Sequence, residues 1–197
     1  MPFVFKRLAL FLSIAAAFAA DKDTSAFHPP AASAFPHHQT NDKVTIGVEP
    51  YVYGDKIKVA FGKLVPYSYG VLPVLVAIQN NSDETIRLDR IRAEYVGPKR
   101  DRVLATPARE IRYAGPVRRP DVNGGPRLPI PVGHKNPLAA WEIEGRALSV
   151  ELLPPGQSAA GFIYFQTEID KGATIYLNGL AEARTGRELF YFEMPLE

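Results

Sequence analysis

The chain contains no cysteine. Disulfide staples, thiolate nucleophiles and thiolate metal ligands are therefore excluded, and so is lipid attachment to a cysteine. Histidine is scarce: His28, His37 and His38 lie near the N-terminus, and His134 is the only one beyond them. The sequence has no HExxH, no GxSxG elbow and no GxxxxGK[ST] phosphate loop. Ser158 falls in a turn, and Gly124-Gly125-Pro126 has no helix after it to receive a phosphate. The longest apolar run, Leu8 to Ala17, is shorter than the roughly 20 residues that a membrane-spanning helix needs.

That run follows Lys6 and Arg7 and ends in the small residues of Ala17-Phe18-Ala19-Ala20. Basic, apolar and small in that order is the pattern of a secretory signal peptide, expected over residues 1–20, with an uncleaved anchor as the alternative. The expected location is outside the cytoplasm, periplasmic or extracellular, with no transmembrane segment in the mature chain. Removing the segment takes Lys6 and Arg7 from 23 basic residues and leaves 21 against 21 acidic ones. The global positive balance that attracts nucleic acid is then absent, so no nucleic-acid partner is expected. Locally the charges separate, with bases concentrated over residues 87–119 and acids over 142–197.

Residues 21–42, DKDTSAFHPPAASAFPHHQTND, are rich in Ala, Pro, Ser and Asp without a sustained apolar period. They read as a disordered linker. Its three histidines admit a metal-binding reading, but no Cys or helix is at hand to hold them in geometry. A single domain is expected over residues 43–197, large enough to bury a core without staples.

Strand patterning starts at Lys43. Val44, Ile46 and Val48 alternate with polar or small residues, and Ile57, Val59 and Phe61 repeat that alternation. PYSYG (66–70) reads as an aromatic loop. Val71 to Gln79 is apolar on both faces, which predicts a central strand. Asn80-Asn81-Ser82-Asp83 reads as a turn and also offers the oxygens of a calcium site. Ile86 and Leu88 fall on even numbers while Ile91, Ala93 and Tyr95 fall on odd ones. That phase slip predicts a bulge or a break between two strands. A strand is expected over 102–105 and a short helix over PLAAWEIEG (137–145), with Trp141 plugging the end of the core and ligand stacking as its alternative. Leu148, Val150 and Leu152 predict a further strand. Residues 173–195 predict a hairpin turning at Arg184-Thr185-Gly186 and returning through LFYFEM.

Two stretches stand out. Leu152 to Gln166, LLPPGQSAAGFIYFQ, joins a Pro-Pro-Gly turn to an aromatic strand. Gly156 is expected to supply an unusual backbone angle and Gly161 a close backbone approach. Between Tyr113 and Leu138 lie six prolines and four glycines, with Arg118, Arg119, Arg127 and Lys135 among them. A loop of that length is either a semi-rigid recognition surface or a floppy insertion.

Short strands with turns every 8–12 residues predict an all-β, immunoglobulin-like β-sandwich. Seven to nine antiparallel strands are expected, with one long Pro/Gly-rich loop and at most one short helix. The order IQNNSDETIRLD (78–89), a second strand, then LPPGQSAAGFIYFQ resembles the immunoglobulin-like sandwich domains of uncharacterised exported bacterial proteins. In those, an Asn-x-Ser-type turn closes one strand and a Pro-Gly-x-Ser-x-x-Gly turn opens a later core strand. The resemblance covers Val71–Asp89 and Leu152–Leu196. It implies fold and export and carries no activity.

No catalytic residue, cofactor or metal ligand is assigned. The expected function is a non-enzymatic module binding a protein or a polymer of the cell envelope. Tyr113, Arg118, Arg119, Arg127 and Lys135 are its candidate contacts, because guanidinium groups grip carboxylates and phosphates. The alternative is a structural or assembly protein that pairs through a strand edge. A glycan-acting enzyme is the third reading, with Glu142 and Glu144 as its only carboxylate pair.

Overall fold

The computed structural model describes residues 27–111, 138 and 141–197. Residues 1–20, expected to be a signal peptide, and the Pro/Gly/Arg stretch of residues 113–137 lie outside them. The strands in chain order are β1 (His37–Asn41), β2 (Val44–Pro50), β3 (Leu72–Asn80), β4 (Ile86–Arg87), β5 (Arg92–Val96) and β6 (Arg102–Leu104). They continue as β7 (Leu152–Leu153), β8 (Ser158–Phe165), β9 (Thr174–Asn178), β10 (Ala181–Glu182) and β11 (Phe192–Pro195). Two short helices, α1 (Asp55–Phe61) and α2 (Trp141–Gly145), accompany them. The fold is thus all-β with antiparallel ladders, and the described residues hold eleven named strands where seven to nine were expected and two α-helices where at most one helix was expected.

One four-stranded sheet runs β1-β2-β3-β8 and a second runs β11-β9-β5-β6. A small third sheet, β10-β4-β7, lies beside them. The expected central strand is found: β3 pairs with β2 on one side and β8 on the other, and almost all of its residues are buried. Its two faces enter different cores, as strict alternation requires. Leu72, Val74, Val76 and Ile78 join Val44, Ile46 and Val48 of β2 in the major core. Ala93, Tyr95, Ile175, Leu177, Phe192 and Met194 of the second sheet fill the same cluster, so the two large sheets face each other across it. Each large side chain buried there contributes about 1.5–3 kcal/mol. Val71, Leu75 and Ala77 face the other way into a minor core. There they meet Phe162 and Tyr164 of β8, Ile57 and Phe61 of α1, Ile143 of α2 and Phe35.

The phase slip after Leu88 is a break between strands. β4 pairs with β7 and β10 in the small sheet, whereas β5 pairs with β9 and β6 in the second large one. The Pro-Pro-Gly turn is also as expected. Gln157 N–H donates to Pro154 O at 3.2 Å, and Gly156 takes φ +72° in the left-handed region that favours glycine. A Cβ on Gly161 would sit 2.5 Å from the Leu148 backbone, so the close approach is real.

Five expectations are corrected. The linker reading fails over residues 27–42, while 21–26 lie outside the described residues. Ala32 and Phe35 are buried against Gly47, and His37–Asn41 pair with β2. An amphipathic arm of this kind carries too few apolar residues to show a period, yet it covers the minor core. The 57–61 alternation is helical: Ile57, Ala60 and Phe61 are buried at i, i+3 and i+4, and Val59 is exposed. Trp141 is 68% exposed and plugs nothing; Ile143, two residues on, is the buried anchor of α2. The 148–152 strand shrinks to Leu152–Leu153, with Leu153 buried and Leu152 exposed. The C-terminal hairpin pairs β9 with β11, but residues 181–182 leave it to join β4, and its return strand begins at Phe192.

The outer edges of the two large sheets meet at β1 and β11 without a backbone ladder. Gln39 Oε1 accepts the Glu193 N–H at 2.9 Å, and Asn41 Nδ2 donates to Tyr191 O at 2.8 Å. Side-chain amides here occupy backbone groups that an edge strand otherwise leaves open.

Candidate functional site at the rim of the minor core

The minor core is built around the Phe162 ring, which β8 projects away from the major core. Phe61 lies 4.7 Å from it, Tyr51 5.1 Å in edge-to-face geometry, and Phe27 5.4 Å in a stacked arrangement. Tyr164, next on that face, donates its hydroxyl to Ile143 O at 2.8 Å and so fixes α2 over the cluster. Burial raises the pKa of the Tyr164 hydroxyl. Tyr51 is pushed up to about 12, by burial first and by the Glu49 carboxylate second.

Both ends of the Pro/Gly/Arg stretch root here. Ile111, two residues before Tyr113, and Leu138, just after Pro137, are each buried in the minor core. The candidate contacts Tyr113, Arg118, Arg119, Arg127 and Lys135 lie outside the described residues, as does His134. The described structure therefore supplies the base of that stretch and nothing of its contacts.

Beside this base stands Arg146, which the sequence reading did not single out. Its backbone is fixed on the open edge of β8: Phe162 N–H donates to Arg146 O at 2.8 Å, and Leu148 N–H donates to Phe162 O at 3.0 Å. The side chain places its guanidinium 4.9 Å from the Phe27 ring centroid and 5.8 Å from that of Trp141. Aromatic faces carry negative charge density, so both rings attract the cation. The indole lies across Gly145, where a Cβ would come within 3.0 Å of the ring. Arg146 Nε is buried and has no hydrogen-bond partner among the described residues. Only its place, in a segment where acids outnumber bases, hinted at a separate role.

The other described arginines of this region are engaged. Arg109 reaches Glu144 on α2 at 3.8 Å. On the outer face of the second sheet, Arg102 lies 5.7 Å over Tyr176 but is held by Glu94 at 2.7 Å. Glu144 is thus an ion-pair partner, and Glu142 is two residues away on a helix of five residues. Residues at that separation do not face each other on a helix. The calcium alternative at 80–83 gives way to a hydrogen-bonded turn, in which Asn80 Oδ1 accepts from Ser82 N–H at 3.0 Å and from Ser82 Oγ at 2.6 Å. His37 and His38 lie on β1, and no His/Asp/Glu cluster able to hold a metal occurs among the described residues.

Two concavities open on the described surface. One, of about 390 Å³, opens between Ala105–Ala108 and Ala147–Glu151 over Leu88 and Ile163. The other, of about 600 Å³, is lined by Val52, Tyr53, Ile169 and Lys171, with the Lys56–Glu49 ion pair at its side. No helix among the described residues is long and apolar enough to cross a membrane.

No protein-family model matches the chain, and no curated protein matches it. Among solved structures, it is similar to a "putative lipoprotein (ycdA)" of Bacillus subtilis subsp. subtilis str. 168, at 14% identity and a TM-score of 0.39. That match covers 80% of this chain, which spans only 38% of the Bacillus chain. It is also similar to a functionally unknown protein of Listeria monocytogenes EGD-e, at 14% identity and a TM-score of 0.38, covering 81% of this chain and 80% of that one.

Proposed function

We propose that the chain is a non-enzymatic, exported, immunoglobulin-like β-sandwich module that binds a protein or a polymer of the cell envelope. The observation that carries this reading is the rooting of the Pro/Gly/Arg stretch. Ile111 and Leu138 pin its two ends in one aromatic core, beside an arginine that no described carboxylate neutralises. A rigid base of this kind lowers the ordering cost of a loop that binds through its tip. Export rests on the Lys6-Arg7 and Leu8–Ala17 pattern, which separates a periplasmic or extracellular partner from nucleic acid.

The test is crosslinking and pull-down from envelope extracts, with the protein and with a variant carrying Arg118→Glu, Arg119→Glu and Arg127→Glu. Loss of the captured partner in the variant supports the reading, and undiminished capture overturns it.

The strand-edge alternative has its own observation. β6 ends its sheet, pairs with β5 alone, and exposes Leu104. An open edge with an outward leucine is a template for strand addition. Light scattering decides it: self-association abolished by Leu104→Lys supports the edge, and a strict monomer at high concentration removes it.

A further inference from the structure

Arg146 is the one described arginine that is half-buried and lacks a carboxylate partner. Arg87 is similarly buried but bonds Asp89 at 2.7 Å, and the remaining arginines stand exposed. Its Nε is sealed from solvent without a hydrogen-bond partner, so a ligand meets the remaining guanidinium donors of this half-buried side chain, which no described carboxylate occupies. The neighbouring side chain is equally unusual: a tryptophan with most of its surface open, held in contact with that guanidinium.

We propose that Arg146 and Trp141 form a binding site for a carboxylate-bearing pyranose, a uronic-acid unit of a glycan. The inference rests on the reading of the chain as a binder of envelope polymers and names the chemistry of that polymer. Three features select the ligand class. The guanidinium offers a planar fork of donors that matches a carboxylate. The indole is 68% exposed and lies 5.8 Å from the guanidinium, and the negative density of its ring faces suits the C–H bonds of a sugar ring. Glu142 and Glu144 stand on the adjoining helix. Carboxylates accept hydrogen bonds from sugar hydroxyls but repel a multiply charged phosphate, so one acid group among many hydroxyls is the complementary charge pattern. Phe27 fixes the cation from the other side, and the parallel bridge of Ala147 to Phe162 fixes its backbone, so the site is organised before a ligand arrives.

Trp141 is the only tryptophan in the chain, so its emission reports this site alone. The purified protein is titrated with oligogalacturonate and, in parallel, with dextran oligomers of the same length. The expected result is a saturable change in indole emission with oligogalacturonate only, reversed by free glucuronate but not by glucuronamide or inorganic phosphate. Arg146→Gln weakens binding by at least about tenfold, and Arg146→Lys, which keeps the charge without the fork, weakens it less. An equal response to dextran, displacement by phosphate as effective as by glucuronate, or unchanged affinity in Arg146→Gln overturns the assignment. If Arg146→Gln does not fold, glucuronate against glucuronamide on the unaltered protein decides the matter. Capture through Arg118, Arg119 and Arg127 without any response to oligogalacturonate removes this inference and leaves the broader reading standing. Oligogalacturonate binding that survives reversal of those three arginines does the opposite for the loop.

Discussion

The Asn80 side-chain amide donates to the Leu153 carbonyl at 2.9 Å, joining the end of β3 to the segment that enters the Pro-Pro-Gly turn. Asn80 is fully buried, and the same nitrogen donates to Glu84 O at 2.8 Å. Its backbone holds the turn as well: Gly156 N–H donates to Asn80 O, and Asn80 N–H donates to Gln157 O. Asn80→Ala leaves buried carbonyls without a donor and is expected to cost about 2–3 kcal/mol. Asn80→Asp puts an acceptor where two carbonyls need a donor, and burial raises that carboxyl's pKa above its unfolded value near 4. Its penalty therefore grows as pH rises through that window, because the unfolded state ionises first. Urea unfolding of both variants at pH 4 and pH 7 checks the sign.

Gly161 and Gly156 are both small by necessity, for different reasons. Gly161→Ala pushes Leu148 off β8 and is expected to cost about 1–3 kcal/mol through overpacking. Gly156→Ala meets no atom within 4 Å but strains a left-handed backbone, costing about 1–2 kcal/mol. Hydrogen exchange separates them: the Leu148 and Phe162 amides lose protection in the first variant and keep it in the second.

Trp141 and Phe162 reverse the usual expectation about tryptophan. Phe162→Ala removes the hub of the minor core and is expected to cost about 3–5 kcal/mol. Trp141→Ala changes an exposed side chain and stays within about 0.5 kcal/mol of the parent. Thermal unfolding of the two variants is the measurement, and a large loss in Trp141→Ala contradicts the structure.

Alkaline pH probes Tyr51. Its hydroxyl titrates near 10 in an unfolded chain and is pushed up to about 12 in the fold. The stability linked to its neutral form is therefore complete below pH 10 and is lost as pH rises toward 12. Tyr51→Phe is expected to flatten this loss between pH 9 and pH 11, read from urea midpoints, while unfolding at pH 7 changes little.

Acid pH probes the surface pairs. Hydrogen bonds from Arg184, Arg87 and Arg187 lower the pKa values of the Glu84, Asp89 and Glu182 carboxyls respectively. Each pair favours the fold above the unfolded carboxylate pKa and ceases to do so as pH falls through the lowered value. All three lie at the surface, partly covered by their neighbours, and are screened by salt. Carboxyl-carbon NMR titration of Arg184→Gln should return Glu84 to the ordinary range and leave Asp89 unmoved.

Much of this fold is legible in the sequence because alternation and turn chemistry are local. Val44–Val48, the doubly buried β3, the break after Leu88 and the Gly156 turn each declare themselves within a few residues. The misreadings share one cause, which is that long-range packing decides among local patterns. Ile57, Val59 and Phe61 fit a period of two as well as a helix in a seven-residue window, and only contacts made elsewhere settle the choice. Ala32 and Phe35 look like linker until Gly47 receives them. Trp141 is bulky and apolar, but α2 buries Ile143 instead. The Arg146 site was illegible for the same reason: Phe27, Trp141 and Phe162 are scattered along the chain, and no spacing joins them.

The closure of β1 against β11 has a consequence for how the molecule is made. Gln39 and Asn41 find their partners at Glu193 and Tyr191, sequence separations of 154 and 150 residues. A chain emerging N-terminus first, from a ribosome or a translocation pore, presents β1 long before β11 exists. The edge of β1 stays open until residues 191–193 have emerged. The nascent protein therefore carries an unsealed seam for as long as the intervening 150 residues take to appear, and that interval is when β1 is most exposed to misassociation with other chains.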